Sequence, residues 1–523
     1  MIKKTIDTVL NVRPIFVGIQ HLYFYEGPCR FGEGDELMPE YDAMMNQEMN
    51  AAYVNEVVQH ETEGVHIMDP IYVERDDWFR SPEAMYEKMA EDIDKVDFYL
   101  FHFGIGRGDI YLEFAERYKK PVGAAPGLCC DGIGNTAAVK NRGLEAYAFM
   151  SWDEFDTWMR VLRVRKCLKN TRVLLAVRWD SNRSYSSYDN FINQSDVTNK
   201  WGIQFRHVNV HELLDQTHPV DPTTNPSTPG RKALNINDED MKEIEKITDE
   251  LIANAEACTM EPDMVKKTIQ AYYTVQKLLD AYDCNAFTAP CPDLCSTRRL
   301  SEERVTFCLT HSLNIAKEKF TLCMTHSLND ENGISSACEY DINSVIGKVI
   351  MTNLSGKAPY MGNTNAIVFD KEGHMIPFHK FNDNTIEDIA DKTNLYMTFH
   401  STPNRNLKGL KAEKERYRLA PFAYSGFGAT IRYDFAQDIG QVITMIRISP
   451  DATKIFIAKG TISGGAGYEM KNCDQGVFFN VADKVDFYHK QQYFGNHTVL
   501  AYGDYVEELK MLAEALGIEA VIA

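Results

Sequence analysis

Four short segments in the later part of the chain carry the residue types that a metal-assisted reaction needs. They are Cys338-Glu339-Tyr340-Asp341-Ile342, Tyr360-Met361-Gly362-Asn363-Thr364, Thr398-Phe399-His400-Ser401 and Gly495-Asn496-His497-Thr498. Carboxylate and imidazole groups converging from four loops suit a hard divalent cation with open positions, because substrate hydroxyls must complete its coordination sphere. No single segment is diagnostic. A glutamate at a helix start commonly complements the helix dipole, and a lone histidine commonly sits in a core or a turn.

Other motifs carry weaker chemistry. His102-Phe-Gly-Ile-Gly-Arg-Gly-Asp109 follows an expected strand and has glycines at alternating positions, but it matches neither dinucleotide nor Walker spacing, so it reads as a tight strand-to-helix turn. Cys291 and Cys295 form the closest cysteine pair apart from Cys129-Cys130, without a second pair at finger spacing, so buried thiols are expected and not structural zinc. Phe307-Cys-Leu-Thr-His-Ser-Leu-Asn is echoed fifteen residues later by Leu322-Cys-Met-Thr-His-Ser-Leu-Asn. That period is too short for a solenoid, so the echo reads as coincidence or a local duplication, and His311 and His326 read as structural.

The elements that must position these groups follow from the pattern of apolar residues. Strand-like runs at Ile15–Ile19, Asp97–Phe103, Pro121–Ala125 and Ala146–Met150 alternate with amphipathic stretches and end in a helix over Asp153–Leu168, the pattern of a doubly wound α/β domain. A second α/β unit opens with the buried strand from Thr171 and the strand Gly202–Val210. A proline-punctuated excursion follows at His218–Gly230, then helices at Asp238–Ala257 and Pro262–Asp283. From Gly440 onward the runs Val442–Ile448, Lys454–Ala458 and Val477–Val481, separated by turns such as Gly464-Gly465-Ala466-Gly467, predict a small β-barrel or sandwich. A helix over Tyr505–Leu516 caps it. The expected fold is therefore α/β, with two doubly wound domains at 1–170 and 171–345 and a β-rich domain at 346–523, the site lying at the seam of the last two.

A chain of 523 residues exceeds what one core supports, and 44% hydrophobic content is ample for several. Acidic residues outnumber basic ones by 75 to 55, and a net charge of −20 repels phosphate backbones and anionic lipid, so neither nucleic acid nor membrane is an expected partner. The N-terminus lacks a signal-like apolar run, and no eighteen-residue apolar stretch occurs, so a soluble cytoplasmic protein is expected, with its twelve cysteines reduced.

The later segments together resemble the catalytic half of the L-fucose and L-arabinose isomerases. Glu339-x-Asp341 opens an amphipathic helix of Ile342, Val345, Ile346, Val349 and Ile350; Leu354-x-Gly-x-x-Pro follows; Phe399-His400 ends a strand; and Gly495-Asn-His-Thr-Val-Leu-Ala-Tyr-Gly-Asp closes the pattern. The resemblance runs in order from about Thr321 to the end. It implies an aldose–ketose isomerase acting on an open-chain sugar, with manganese, or Co2+ or Mg2+, held by Glu339 and His497, His400 as a further metal-binding histidine, Asn496 against the substrate, and a tetramer or hexamer. Glu339 would also move the proton, with Asp341 as a second catalytic or orienting group.

One position departs from that pattern. The family's second acidic ligand should stand twenty-four residues after the glutamate, where this chain has Asn363. An amide oxygen can bind a cation but cannot exchange a proton near neutral pH, so a second proton carrier would have to be water, Asp341 or another residue such as Asp370. The same substitution opens two further readings: epimerisation of a modified or acidic sugar, and a sugar-binding protein without catalysis.

Overall fold

The computed structural model describes residues 2–18, 34, 38–103, 108–177, 189–191, 193–210, 213, 216–217, 219, 234–290, 321–376, 381–422, 428–471 and 475–523. Nearly all of the Pro-rich excursion, together with Cys291, Cys295, His311 and the 104–107 glycine turn, lies outside the described residues. Among the described residues the chain forms two compact units, Thr8–Arg163 and Met1–Asp7 with Val164–Ala523. The division between the units after Arg163 falls within a helix.

The smaller unit is a parallel sheet of β1 (Leu10–Gly18), β2 (Val65–Ile67), β3 (Ile71–Glu74), β4 (Phe98–Phe103), β5 (Val122–Ala124) and β6 (Ala146–Ala148). The strand order is β2-β1-β4-β5-β6, with β3 also on β1. Its helices are α1 (Pro39–Val57), α2 (Arg75–Arg80), α3 (Pro82–Met89), α4 (Gly108–Tyr118), α5 (Cys129–Lys140) and the start of α6 (Trp152–Lys169). The β1 residues Leu10, Val12, Ile15, Phe16 and Val17 are all nearly inaccessible, which is why its second half, Ile15-Phe16-Val17, is continuously apolar and not alternating.

The larger unit contains β7 (Arg172–Val177), β8 (Gln204–Asn209), β9 (Ala257–Cys258), β10 (Ala286–Thr288) and β11 (Ser335–Ala337). All but β9 form a parallel sheet ordered β11-β10-β7-β8. Its helices are α7 (Gln194–Trp201), α8 (Asp238–Ala253), α9 (Pro262–Ala281), α10 (Cys323–Glu331) and α11 (Ile342–Ser355). The first long helix ends at Ala253, four residues short of the sequence expectation. Asn254 caps it, and the Glu256 amide donates to the Tyr417 carbonyl 2.9 Å away, drawing Ala257–Cys258 into a strand.

The rest is β-rich: β12 (Tyr360–Ala366), β13 (Leu395–Phe399), β14 (Arg418–Pro421), β15 (Ala429–Arg432), β16 (Val442–Ile448), β17 (Lys454–Ala466), β18 (Gly476–Val481), β19 (His497–Tyr502) and β20 (Glu519–Ile522), with α12 (Lys484–Gln491) and α13 (Val506–Leu516). Strands β16-β19-β12-β13-β18-β17 are joined in that order, and β17 pairs back onto β16, which closes a six-stranded barrel. The glycine turn expected at 464–467 is instead mostly strand. Gly464, Gly465 and Ala466 pair with β18 beyond an irregularity at Ile462/Gly464. A Cβ on Gly465 would lie 2.5 Å from the Ala436 amide nitrogen, so the glycine is there for close backbone approach and not for a turn.

Helix α11 joins the two layers that carry the site. Every residue from Ile342 to Leu354 is buried, and the helix packs on β11 and also on β16 and β19 of the barrel. Gly347 makes the barrel contact possible, since a Cβ there would sit 3.0 Å from Val499 Cγ2.

Candidate functional site

Glu339 does not begin the helix. It lies in the turn after β11, and both Glu339 (φ 62°) and Tyr340 (φ 60°) hold the left-handed conformation. Two successive non-glycine residues there cost on the order of 1–3 kcal/mol each and persist only where the surroundings fix them. They are fixed here by the Tyr340 amide donating to the Ala289 carbonyl (2.9 Å) and by Asn190, whose amide donates to the Tyr340 carbonyl (2.6 Å) while its oxygen accepts from the Ile342 amide (2.7 Å). The strained turn aims the Glu339 carboxylate at two histidines.

His497 opens β19 and His400 follows the end of β13, so the barrel rim presents both imidazoles to Glu339. Glu339 Oε1 lies 3.4 Å from His400 Nε2, and Oε2 lies 3.5 Å from His497 Nε2. One donor atom from each of the three residues lies within 4.8 Å of the other two. Octahedral bonds of about 2.1 Å place neighbouring ligand atoms roughly 3–4 Å apart, so the trio fits one cation.

The two histidines are set differently. His497 is fully buried, and its Nδ1 lies 2.7 Å from Asp341 Oδ2. Donation from Nδ1 to that carboxylate leaves Nε2 as the lone-pair nitrogen, and Nε2 is a buried atom without a hydrogen-bond partner among the described residues. That combination is what a metal-binding imidazole requires. His400 Nδ1 instead accepts from the Ser401 amide at 3.0 Å, so a neutral ring carries its proton on Nε2, facing Glu339. Ligation by His400 would need that arrangement to change, which makes His497 and Glu339 the primary donors.

Asp341 is the N-cap of α11 and the hub of a buried charge network. Its carboxylate accepts from the Ser344 amide (2.9 Å), the Ser344 hydroxyl (2.8 Å), Arg447 Nη1 (2.9 Å) and His497. Burial acts to raise its pKa, but Arg447 and His497 outweigh burial and hold the carboxyl well below the ordinary range. The same contacts act on His497, where burial alone would lower the imidazole but Asp341, then Glu339, raise it. Arg447 also pairs with Asp189 (2.7 Å) and donates to the Phe494 carbonyl (2.9 Å).

Of the remaining expected residues, Asn363 pairs directly with His497 across β12 and β19, which puts their side chains on one face of the barrel wall. Its Oδ1 accepts from Asn496 Nδ2 at 2.6 Å, so Asn496 engages Asn363 directly. Asp370 lies in a turn, accepting from the Glu372 and His374 amides at 3.0 and 2.8 Å, and takes no part in the site. Arg447 and Asp189 were not among the sequence candidates. A signal for Arg447 existed, as a cation inside the apolar run Val442-Ile-Thr-Met-Ile-Arg-Ile448; Asp189 had none.

Comparison with known proteins adds little. No protein-family model matches the chain, and no curated protein matches it. Among solved structures, the chain is similar at TM-score 0.15 and 10% identity to a solute-binding protein of an ABC transporter from R. palustris in complex with 4-hydroxybenzoate, over 67% of this chain and 86% of that one. A likeness of that size carries no argument about fold or function. Among the described residues, no helix is long and apolar enough to cross a membrane.

Proposed function

We propose that this protein is a metal-dependent aldose–ketose isomerase acting on an open-chain sugar. The observation that carries the reading is the convergence of Glu339, His400 and His497, with one donor atom of each within 4.8 Å of the other two, at the barrel rim. Glu339 and His497 would hold the ion, with His400 beside it and Asn363 on the same barrel face; manganese is the first choice, Co2+ or Mg2+ the next. When bound, such an ion supplies Lewis-acid polarisation of two adjacent sugar oxygens.

The chain's own residues do the rest. Glu339, 19% exposed at its side chain, is the group placed to take a proton from one carbon of the C1–C2 pair and return it to the other. Asp341, wholly engaged by Arg447, Ser344 and His497, is better read as a positioning residue than as a second acid or base. His400, with its proton on Nε2, supplies a donor beside Glu339 for oxygen-bound charge. The finer fold reading, two doubly wound domains and a barrel domain divided near residues 170 and 345, belongs to the same proposal. So do a cytoplasmic location and a tetramer or hexamer.

The test is solvent hydrogen exchange at C2 in a panel of pentoses, hexoses and deoxyhexoses with manganese-loaded protein. Exchange with ketose formation supports the isomerase. Exchange yielding a C2 epimer moves the reading to epimerisation, which Asn363 favours by lacking a titratable proton. No exchange with any sugar, alongside sugar binding that survives Glu339→Gln, leaves a binding protein without catalysis.

A further inference from the structure

Asp189, Asn190 and Phe191 lie outside every segment nominated for chemistry, yet they touch the supports of both primary donors. Asn190 is buried and commits both ends of its amide to the turn that carries Glu339. Its Nδ2 donates to the Tyr340 carbonyl at 2.6 Å, and its Oδ1 accepts from the Ile342 amide at 2.7 Å. The Phe191 amide donates to Asn343 Oδ1 at 2.9 Å, and Asn343 Nδ2 donates in turn to the Ile448 carbonyl on β16 at 3.0 Å. The Phe191 ring meets Trp201 of α7 edge-on, with centroids 6.3 Å apart.

Asp189 serves the other donor. Its Oδ2 accepts from Arg447 Nη2 at 2.7 Å, while Arg447 sends Nη1 to Asp341 at 2.9 Å and Nε to the Phe494 carbonyl at 2.9 Å. Asp341 orients His497, and Phe494-Gly495 leads the chain into β19, whose first residue is His497. Asp189 also packs against Gly495, where an added Cβ would collide with its carboxylate. One short segment therefore reaches the Glu339 turn with one side chain and the approach to His497 with another.

The Glu339 turn needs such a hold. Glu339 (φ 62°) and Tyr340 (φ 60°) are both left-handed without being glycine. The bonds that reach the turn from outside are the Tyr340 amide to the Ala289 carbonyl and the two made by Asn190. Without Asn190 the Tyr340 carbonyl and the Ile342 amide lose these bonds, and the strained pair is freed to relax towards negative φ, which turns the Glu339 carboxylate away from the histidines.

We propose that the Asp189–Phe191 segment is a positioning latch for the cation site: Glu339 and His497 meet on one ion while the segment is docked, and a bound ion in turn holds the segment docked. This rests on the metal reading of the site and not on the sugar. The two statements are one coupling seen from its two ends, because linkage between binding and docking is reciprocal.

The test is calorimetric titration of Mn2+ into the full chain, as wild type and as Asn190→Ala, Asn190→Leu, Asp189→Asn and Ile244→Ala. Asn190→Leu fills the space and makes neither bond. Ile244→Ala empties a buried position in the apolar cluster of α8 and α9, and so lowers stability without touching the latch. Mn2+ affinity should fall about 10- to 100-fold in both Asn190 variants, the usual effect of losing a group that orients a metal ligand, and by less in Asp189→Asn. Ile244→Ala should lower Tm and keep Mn2+ affinity within about twofold, a split that a merely structural role for Asn190 would not produce. Amide hydrogen exchange reads the other end. Saturating Mn2+ should slow exchange of the Phe191 and Ile342 amides by the same factor of about 10 to 100 in the wild type, and leave it unchanged in Glu339→Gln.

Mn2+ affinity within twofold of wild type in the folded Asn190 variants overturns the latch, as does an equal loss in Ile244→Ala. If neither Asn190 variant folds, the exchange measurement on the wild type decides, and exchange at Phe191 and Ile342 that ignores Mn2+ refutes the coupling. A wild type that binds no Mn2+ removes the metal reading itself, and this inference with it.

Discussion

Replacing Asp341 by Asn is nearly isosteric and removes one charge from a position with no solvent access. Three of the five donor atoms that converge on the carboxylate meet at Oδ2: Arg447 Nη1 at 2.9 Å, the Ser344 hydroxyl at 2.8 Å and His497 Nδ1 at 2.7 Å. An amide nitrogen there would face donors, while an amide flipped the other way would sacrifice the N-cap bond to the Ser344 amide. Breaking a buried ion pair by removing one partner costs about 3–5 kcal/mol. Arg447 keeps Asp189 and the Phe494 carbonyl, so the lower end, about 3 kcal/mol, is expected. Over a unit of roughly 370 residues, with an unfolding entropy of about 2.1 cal/mol/K per residue, that is a fall in Tm of about 4 °C. Loss of the group orienting a metal-binding histidine should also weaken Mn2+ binding about 10- to 100-fold.

The pH dependence sharpens the test. Asp341 has its folded pKa held down, so its contribution is present above the unfolded value near 4 and lost as pH falls further. His497 has its folded pKa raised, so its contribution is complete below the unfolded value near 6.5 and lost as pH rises through the folded one. In the metal-free wild type, stability should therefore decline above about pH 6.5, and in Asp341→Asn that decline should disappear because the cause of the raised pKa is gone. Differential scanning calorimetry from acid to alkaline pH, with Mn2+ titrations at neutral pH, reads both effects. Mn2+ affinity within twofold of wild type, together with an unaltered alkaline limb, would refute the account of Asp341.

Two other perturbations follow from the same geometry. Gly495 holds φ +127°, and a Cβ there would collide with Asp189 Oδ2 and lie 2.8 Å from Arg447 Nε, so Gly495→Ala should cost about 3 kcal/mol and lower Tm by about 4 °C in a thermal melt. Asn363→Asp keeps the oxygen that accepts from Asn496 and adds a charge on the barrel face shared with His497; calorimetry should show Mn2+ bound about tenfold more tightly, as a nearby carboxylate attracts a divalent ion.

What the sequence disclosed tracks how local each signal is. The apolar run Ile15-Phe16-Val17 of β1 and the stripe of α9 are visible because burial imposes them residue by residue, and the barrel strands announce themselves by β-branched composition. The Gly464-Gly465 pair misleads, because its reason is a neighbour, the Ala436 backbone, more than twenty residues away in the chain. Glu339, His400 and His497 could be nominated by type and spacing, but which nitrogen each histidine offers could not. That depends on Asp341 and on the Ser401 amide, contacts that exist only after folding. The Arg447–Asp189 link spans 258 residues and leaves no local trace. The left-handed turn at Glu339–Tyr340 is also silent in sequence, since it uses no glycine and is held from outside by Asn190.

The central claim is that Glu339 and His497 bind a divalent cation, with His497 Nε2 as the nitrogen donor. Pulsed electron paramagnetic resonance of the Mn2+-loaded protein measures this directly, because a directly bound imidazole nitrogen couples to the electron spin. The account predicts a nitrogen coupling in the wild type that is kept in His400→Gln and lost in His497→Gln, with Mn2+ released on Glu339→Gln. A coupling that survives His497→Gln, or a wild type that binds no Mn2+ at all, would contradict it.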